Sequence, residues 1–163
     1  MKFIKSLLRI AFYALLVYFG KKIHDIVMNI IRNGGKTIIF NGIDKKVEAK
    51  EDFTSNLNVI FGGAQLDIRN CEMFHKTDSL KFNLYFSGLK LDFTNCETKE
   101  KEIEINLSGM YSGFKINVPK NWNVVFEGDE FKSGIKSDVE EIEDPKTTLF
   151  INYNLKYSGI SIK

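Results

Sequence analysis

A glycine recurs at positions 42, 63, 88, 113, 134 and 159, in steps of 21, 25, 25, 21 and 25 residues. An aromatic residue stands two places before it in five copies, as Phe40, Phe61, Phe86, Tyr111 and Tyr157. The copies align beyond the glycine: Phe61-Gly-Gly-Ala-Gln-Leu-Asp-Ile68, Phe86-Ser-Gly-Leu-Lys-Leu-Asp-Phe93 and Tyr111-Ser-Gly-Phe-Lys-Ile-Asn-Val118. Lys132-Ser-Gly-Ile-Lys-Ser-Asp-Val139 is a weaker copy, and Tyr157-Ser-Gly-Ile-Ser-Ile162 closes the series. Self-similarity at such an interval marks a chain built from stacked units, none of which can bury its apolar face alone.

Each unit reads as two short strands around a bend. After the glycine the residues alternate, with Leu89, Leu91 and Phe93 inward and Lys90, Asp92 and Thr94 outward. Before it alternate Phe82, Leu84 and Phe86, or Ile103, Ile105 and Leu107. The glycine is expected to remove a Cβ where the backbone bends or meets its neighbour. The aromatic residues are expected to form an inward column, with Phe86→Ala losing about 3–5 kcal/mol. A sandwich of antiparallel hairpins competes, but hairpins do not favour one side-chain register at a constant interval. The expected fold is all-β, a right-handed parallel β-helix or solenoid of about six short coils over residues 35–163. One N-terminal α-helix within residues 1–34 precedes it.

That helix is different in kind. Leu7, Leu8 and the run from Ile10 to Phe19 are apolar apart from Arg9, with Lys5 before and Lys21 and Lys22 after. Ile23, Ile26, Val27, Ile30 and Ile31 continue at helical spacing until Asn33-Gly34-Gly35 stops the helix. A cleaved signal peptide would need small residues where Val17-Tyr18-Phe19 stand, and a buried soluble helix would not need the basic flanks. A membrane anchor is the favoured reading, through Leu7, Leu8, Ile10, Phe12, Leu15, Leu16, Val17 and Phe19, either spanning or lying at the interface. Its uncharged core is short for the roughly 20 residues of a span. The placement expected is the cell membrane, with loop charge favouring a cytoplasmic β-domain.

Composition excludes more than it selects. A net charge of +2 with acids and bases interspersed gives no nucleic-acid footprint. Two cysteines, Cys71 and Cys96, and two histidines, His24 and His75, form no zinc or nucleophile pattern, so neither enzyme activity, cofactor nor metal is expected. Asp67, Asp92, Asn117 and Asp138 each follow their glycine by four residues, which stacks them in one outward column. Paired acids there suggest acid–base work or calcium. Lys90, Lys115 and Lys136, two places earlier, instead suggest a mutually screened, solvated face. Cys71 and Cys96 are also 25 apart, within disulfide reach, but an in-register pair rarely meets the torsion a disulfide needs, so two thiols are expected. Asn106-Leu-Ser108 matches a glycosylation sequon by chance, and the acidic run Asp138–Asp144 reads as an exposed loop. The outward residues Lys90, Asp92, Lys115, Asn117, Tyr157 and Ser161 are the candidate partner surface.

Asn58-Val-Ile-Phe-Gly-Gly-Ala-Gln-Leu-Asp-Ile68 and Val118-Pro-Lys-Asn-Trp-Asn-Val124 resemble the two signatures of the cell-wall-active-antibiotic response family. This is the toastrack-like C-terminal domain of LiaF-type membrane proteins. The likeness runs from about Asn58 to Ile135. It implies a non-enzymatic, membrane-attached regulatory β-solenoid in two-component signalling of cell-envelope stress, with a histidine kinase as partner. Typical members carry several membrane helices where this chain has one, and Glu127-Gly-Asp-Glu-Phe131 replaces the Phe-Gly-Gly often found in the fourth copy. The alternative is a structural scaffold or adhesin-like homo-oligomer assembling through coil edges. The repeat ends one residue before the last, at Ile162, so the final coil is expected to be an open edge covered by a partner, a second copy or the N-terminal segment.

Overall fold

The computed structural model describes residues 2–32, 34–47, 56–71 and 79–163, and the side chains of all these except 2–7 and 31. His75 and the side chain of Leu7 lie outside that description. The chain divides into two compact units, Met1–Gly34 and Gly35–Lys163. The first is a single helix, α1 (Lys2–Arg32).

The second unit is a parallel β-solenoid. Its strands are β1 (Lys36–Ile39), β2 (Gly42–Val47), β3 (Asn56–Ile60), β4 (Gly63–Ile68), β5 (Leu80–Tyr85), β6 (Gly88–Asp92), β7 (Glu102–Met110), β8 (Gly113–Asn117), β9 (Trp122–Phe131), β10 (Gly134–Ser137), β11 (Thr147–Lys156) and β12 (Gly159–Ile162). An odd strand, a two-residue corner and the following even strand make one rung. Odd strands stack into one six-stranded sheet and even strands into another, with every pairing parallel. Leu57, Val59, Phe82, Leu84, Ile103, Ile105 and Ile151 of the first sheet meet Leu66, Leu89, Leu91, Phe114, Ile116 and Ile162 of the second in one buried core. The alternation read from the sequence therefore assigns the inward faces within strands.

Rung order departs from chain order. The sheets run β1-β3-β5-β7-β11-β9 and β2-β4-β6-β8-β12-β10. About four turns wind in sequence, and the last rung of the chain then inserts between the fourth rung and the fifth. The C-terminal rung is thus interior, which corrects the expectation of an open edge there. The edge at that end of the stack is β9 and β10.

The inward side chains supply the reason. On β9, Glu130 stands opposite Leu155, and on β10, Ser137 stands opposite Ile162. In chain order both polar groups would lie between two buried layers, and an unpaired buried charge is expensive. The C-terminal rung offers Leu149, Ile151, Leu155, Ile160 and Ile162, all buried. Interior placement of the apolar rung and terminal placement of the polar one satisfies both. Asn123 fixes the acidic return segment, donating to the Ile142 carbonyl and accepting from its N–H, both at 2.9 Å. Val139 packs against the core from this segment, which is therefore not wholly exposed.

The corners also differ from expectation. The left-handed conformation belongs to the residue before the bend, with φ of 48–52° at Phe40, Phe61, Phe86, Tyr111, Lys132 and Tyr157. The repeating glycines do not supply it, and a methyl group built on Gly88, Gly113 or Gly134 would meet nothing within 4 Å. A left-handed non-glycine residue costs roughly 1–2 kcal/mol. Ring stacking, at roughly 0.5–1.5 kcal/mol a pair, offsets that. The rings from Phe40 to Tyr157 stack in rung order at 4.8–5.1 Å and within 10° of parallel. They stack outside the core: Phe86 is 43% exposed, so its inward assignment was wrong.

Serine completes the corner. Ser87, Ser112, Ser158 and Ser133 each donate their hydroxyl to the carbonyl two residues back, at 2.7–2.9 Å. Each hydroxyl then accepts a backbone N–H from the neighbouring rung, namely Gly62, Ser87, Ser112 and Ser158. This ladder follows the spatial order of the rungs.

Candidate functional site

The outward face of the even sheet gathers the residues singled out from the sequence. Above the glycine column runs an open trough of about 910 Å³, lined by Gly63, Gly88, Gly113, Lys90, Lys115 and Ser161 among others. Lys90 and Lys115 are directly paired across β6 and β8, and Ser161 on β12 is the next rung's counterpart of Lys115. Tyr157 lies apart from the trough lining, in the ring ladder at the corner. Phe40 is that ladder's most exposed ring, and Lys132 closes the other end with its Nζ 5.7 Å from the Tyr157 centroid.

The acid column is a charge-balanced row. Asp92 Oδ1 accepts the Thr94 hydroxyl at 2.6 Å and its N–H at 3.2 Å, while Oδ2 accepts the Asn117 amide at 3.0 Å. Lys90 Nζ stands 3.7 Å from Oδ2. Burial pushes the Asp92 carboxyl up, but the bonds from Thr94 and Asn117, with Lys90 beside them, outweigh it and hold the group below its ordinary value. A carboxyl so held stays ionised and is a poor proton donor near neutrality. Arg69 grips Asp67 Oδ2 at 2.6 Å through Nη2 and at 3.0 Å through Nε. Lys163 bonds through its backbone between Ile116 and Val118, and Asp138 bonds to the Ile162 carbonyl. Lys163 thus stands between Asn117 and Asp138 in the column. Counting four residues from Gly159 finds it, but its place becomes visible only with the rung order known. Among the described residues no cluster of His, Cys, Asp or Glu is suited to a metal ion.

Cys71 and Cys96 form a disulfide with Cα atoms 6.0 Å apart, correcting the expectation of free thiols. Strands β4 and β6 pair at an offset of 25 through Asp67 and Asp92, but the bridge beyond them joins Asn70 to Glu97. The turn at Thr94 and Asn95, closed by Cys96 N–H on the Phe93 carbonyl, inserts two residues. The cysteines therefore face each other diagonally rather than in register.

On α1, Leu8, Ile10, Phe12, Leu15, Leu16, Val17 and Phe19 are all exposed. Among the described residues no helix is long and apolar enough to cross a membrane. Compared with family models, curated proteins and solved structures, the chain returns no match.

Proposed function

We propose that this chain is a non-enzymatic interaction module held at a membrane surface by α1, with the trough and ring ladder of its solenoid engaging a partner. The observation that carries the reading is the exposed, uncharged run Ile10–Phe19 between basic residues. Such a segment binds the headgroup–acyl boundary without spanning, its cations meeting anionic lipid. The winding is taken as right-handed, the hand that strand twist imposes on parallel crossovers.

The resemblance to LiaF-type domains supports a regulatory role in envelope stress, with a membrane histidine kinase as the partner. The Cys71–Cys96 disulfide supports an oxidising, extracytoplasmic setting for the solenoid, against the cytoplasmic side expected from loop charge. The scaffold reading is the weaker one. Lys45 on β2 and Glu130 on β9 occupy inward registers in the two end rungs, opposite Leu66 and Leu155. Inward charge at an edge opposes stacking of further copies.

Flotation with vesicles of mixed phosphatidylglycerol and phosphatidylcholine tests the attachment. The full chain should rise with the lipid, and Leu15→Asp with Leu16→Asp should leave it at the bottom of the gradient. A full chain that stays at the bottom overturns the membrane reading. Co-purification from native membranes without any signalling protein overturns the regulatory one.

A further inference from the structure

The outward face of the odd sheet carries a feature that the even-sheet reading does not use. Asparagine is poorly suited to strand interiors, because its short amide competes for backbone hydrogen bonds. Yet Asn56, Asn58, Asn83, Asn106, Asn152 and Asn154 all lie in β3, β5, β7 and β11. Their registers bring them together. Lys81, Asn106 and Asn152 form one column across three strands, and Asn83, Ser108 and Asn154 form the next. The columns are about 6.5 Å apart and their members about 4.8 Å apart.

The two ends of this amide face behave differently. Toward β1, Asn83 Nδ2 donates to Asn58 Oδ1 at 2.8 Å, and Asn58 Nδ2 to Thr37 Oγ1 at 3.2 Å. Those side chains form a ladder that stabilises the sheet. Toward β11 the ladder stops: Ser108, Asn152 and Asn154 make no side-chain hydrogen bond to any described residue. The amides there contribute no internal bond to offset their poor strand propensity. Local choices that contradict the fold without compensation concentrate at functional positions.

The same residues line a hollow of about 300 Å³. This is the lower end of the range for small-ligand sites. Lys81 is its one charged lining residue among the described residues, while Glu127 and Asp129 on β9 pair with Asn152 and Asn154 along its outer side. Those carboxylates repel an anionic ligand and accept hydroxyl hydrogens. Phe150 and Tyr85 lie two residues from Asn152 and Asn83 on the same strand faces, just beyond the residues that line the hollow.

Planar amides offering a donor and an acceptor side by side match vicinal hydroxyl groups. The faces of aromatic rings at the ends of such a hollow match the apolar C–H faces of a sugar. We infer that the hollow formed by Lys81, Asn83, Asn106, Ser108, Asn152 and Asn154 binds a neutral glycan. The site holds it by amide and hydroxyl hydrogen bonds and performs no chemistry on it.

Affinity electrophoresis of the full chain in neutral detergent tests this, with gels containing laminarin, hydroxyethylcellulose, mannan or dextran and polygalacturonate as the anionic control. At least one neutral polymer should retard the protein. The double variant N152T/N154T should need at least tenfold more polymer for the same retardation. Threonine suits a strand better than asparagine, so the variant should keep its circular dichroism and melting temperature. Asn95→Ala, an exposed and uncharged change in the turn after β6, should be retarded as wild type. Ser108→Ala, which removes only a hydroxyl, provides a second reading. No retardation by any neutral polymer overturns the proposal, as does retardation by polygalacturonate alone or equal retardation of both variants and wild type.

Discussion

The first four rungs and the last two use the same local chemistry and obey different rules of order. From β1 to β8 each rung lies beside its predecessor, as sequential elements usually do. From β9 to β12 the chain passes over one layer, builds the outermost rung and then returns to fill the gap. The corner is nearly constant: a left-handed residue and a glycine in all six rungs, with a serine hydroxyl bonded two residues back in the last four of the chain. Its constancy means that it carries no information about which rung lies next to which. That information sits in the inward columns, where Glu130 and Ser137 fit an end and Ile151 and Leu155 fit an interior.

The largest effect expected from this difference comes from proline. Along a strand, successive N–H groups point to opposite neighbours. In β11, flanked by β7 and β9, both Phe150 and Ile151 have a strand to bond to. Proline at either should cost about 3 kcal/mol or more and lower the melting temperature steeply. In β9, one of Val125 and Phe126 points its N–H off the edge, so one of the two prolines should be tolerated. Four single variants measured by urea denaturation decide the matter. If one of the two prolines is tolerated at β11 and neither at β9, the rungs follow chain order after all.

The sequence made the rung legible in detail. The 25-residue register, the buried Leu89-Leu91-Phe93 face and the stacked aromatics follow from spacing and alternation alone. The rung order was also written there, in the degeneracy of one copy. Lys132 replaces the aromatic, and Glu130 falls on an inward position, as suits a terminal repeat. The preference for sequential neighbours masked that signal. The corner was misread for another reason. Glycine is the usual left-handed residue, and no local rule says that five stacked rings can hold aromatic residues there instead. Counting from the glycines places Lys90, Lys115 and Ser161 in one column, which is the register they take. The asparagine face was missed because its residues are polar and outward, and so look like ordinary solvated positions until their partners are counted.

Next in size is the disulfide, which fastens two rungs of the ordered winding and none of the rearranged ones. Closing a loop of 25 residues stabilises by about 3.5 kcal/mol on the chain-entropy account. Cys71→Ser with Cys96→Ser should lower stability by that order. Amide exchange should quicken in β4 and β6 before it does in β9 and β10. Equal quickening in all four strands would mean that the solenoid opens as one unit and that the two regions differ in order but not in cooperativity.

The smallest effect separates the corner from the core. Trp122 is buried at the start of β9, and truncating such a side chain costs about 3–5 kcal/mol. Phe86 is half-exposed between Phe61 and Tyr111, with centroids 5.0 Å away on each side. Phe86→Ala loses two stacked pairs but little buried area, so about 1–2 kcal/mol is expected. Phe86→Gly removes the same ring and also the left-handed strain, since glycine adopts φ near 51° freely. It should therefore destabilise less than Phe86→Ala, reversing the order usual for these substitutions in a strand. Gly88→Ala should be close to neutral, because its φ is ordinary and no atom lies within 4 Å of the added methyl. Thermal melts of the three variants give the ranking directly. If Phe86→Gly proves worse than Phe86→Ala, the left-handed corner is not strained. The stack would then be a consequence of the corner rather than what holds it.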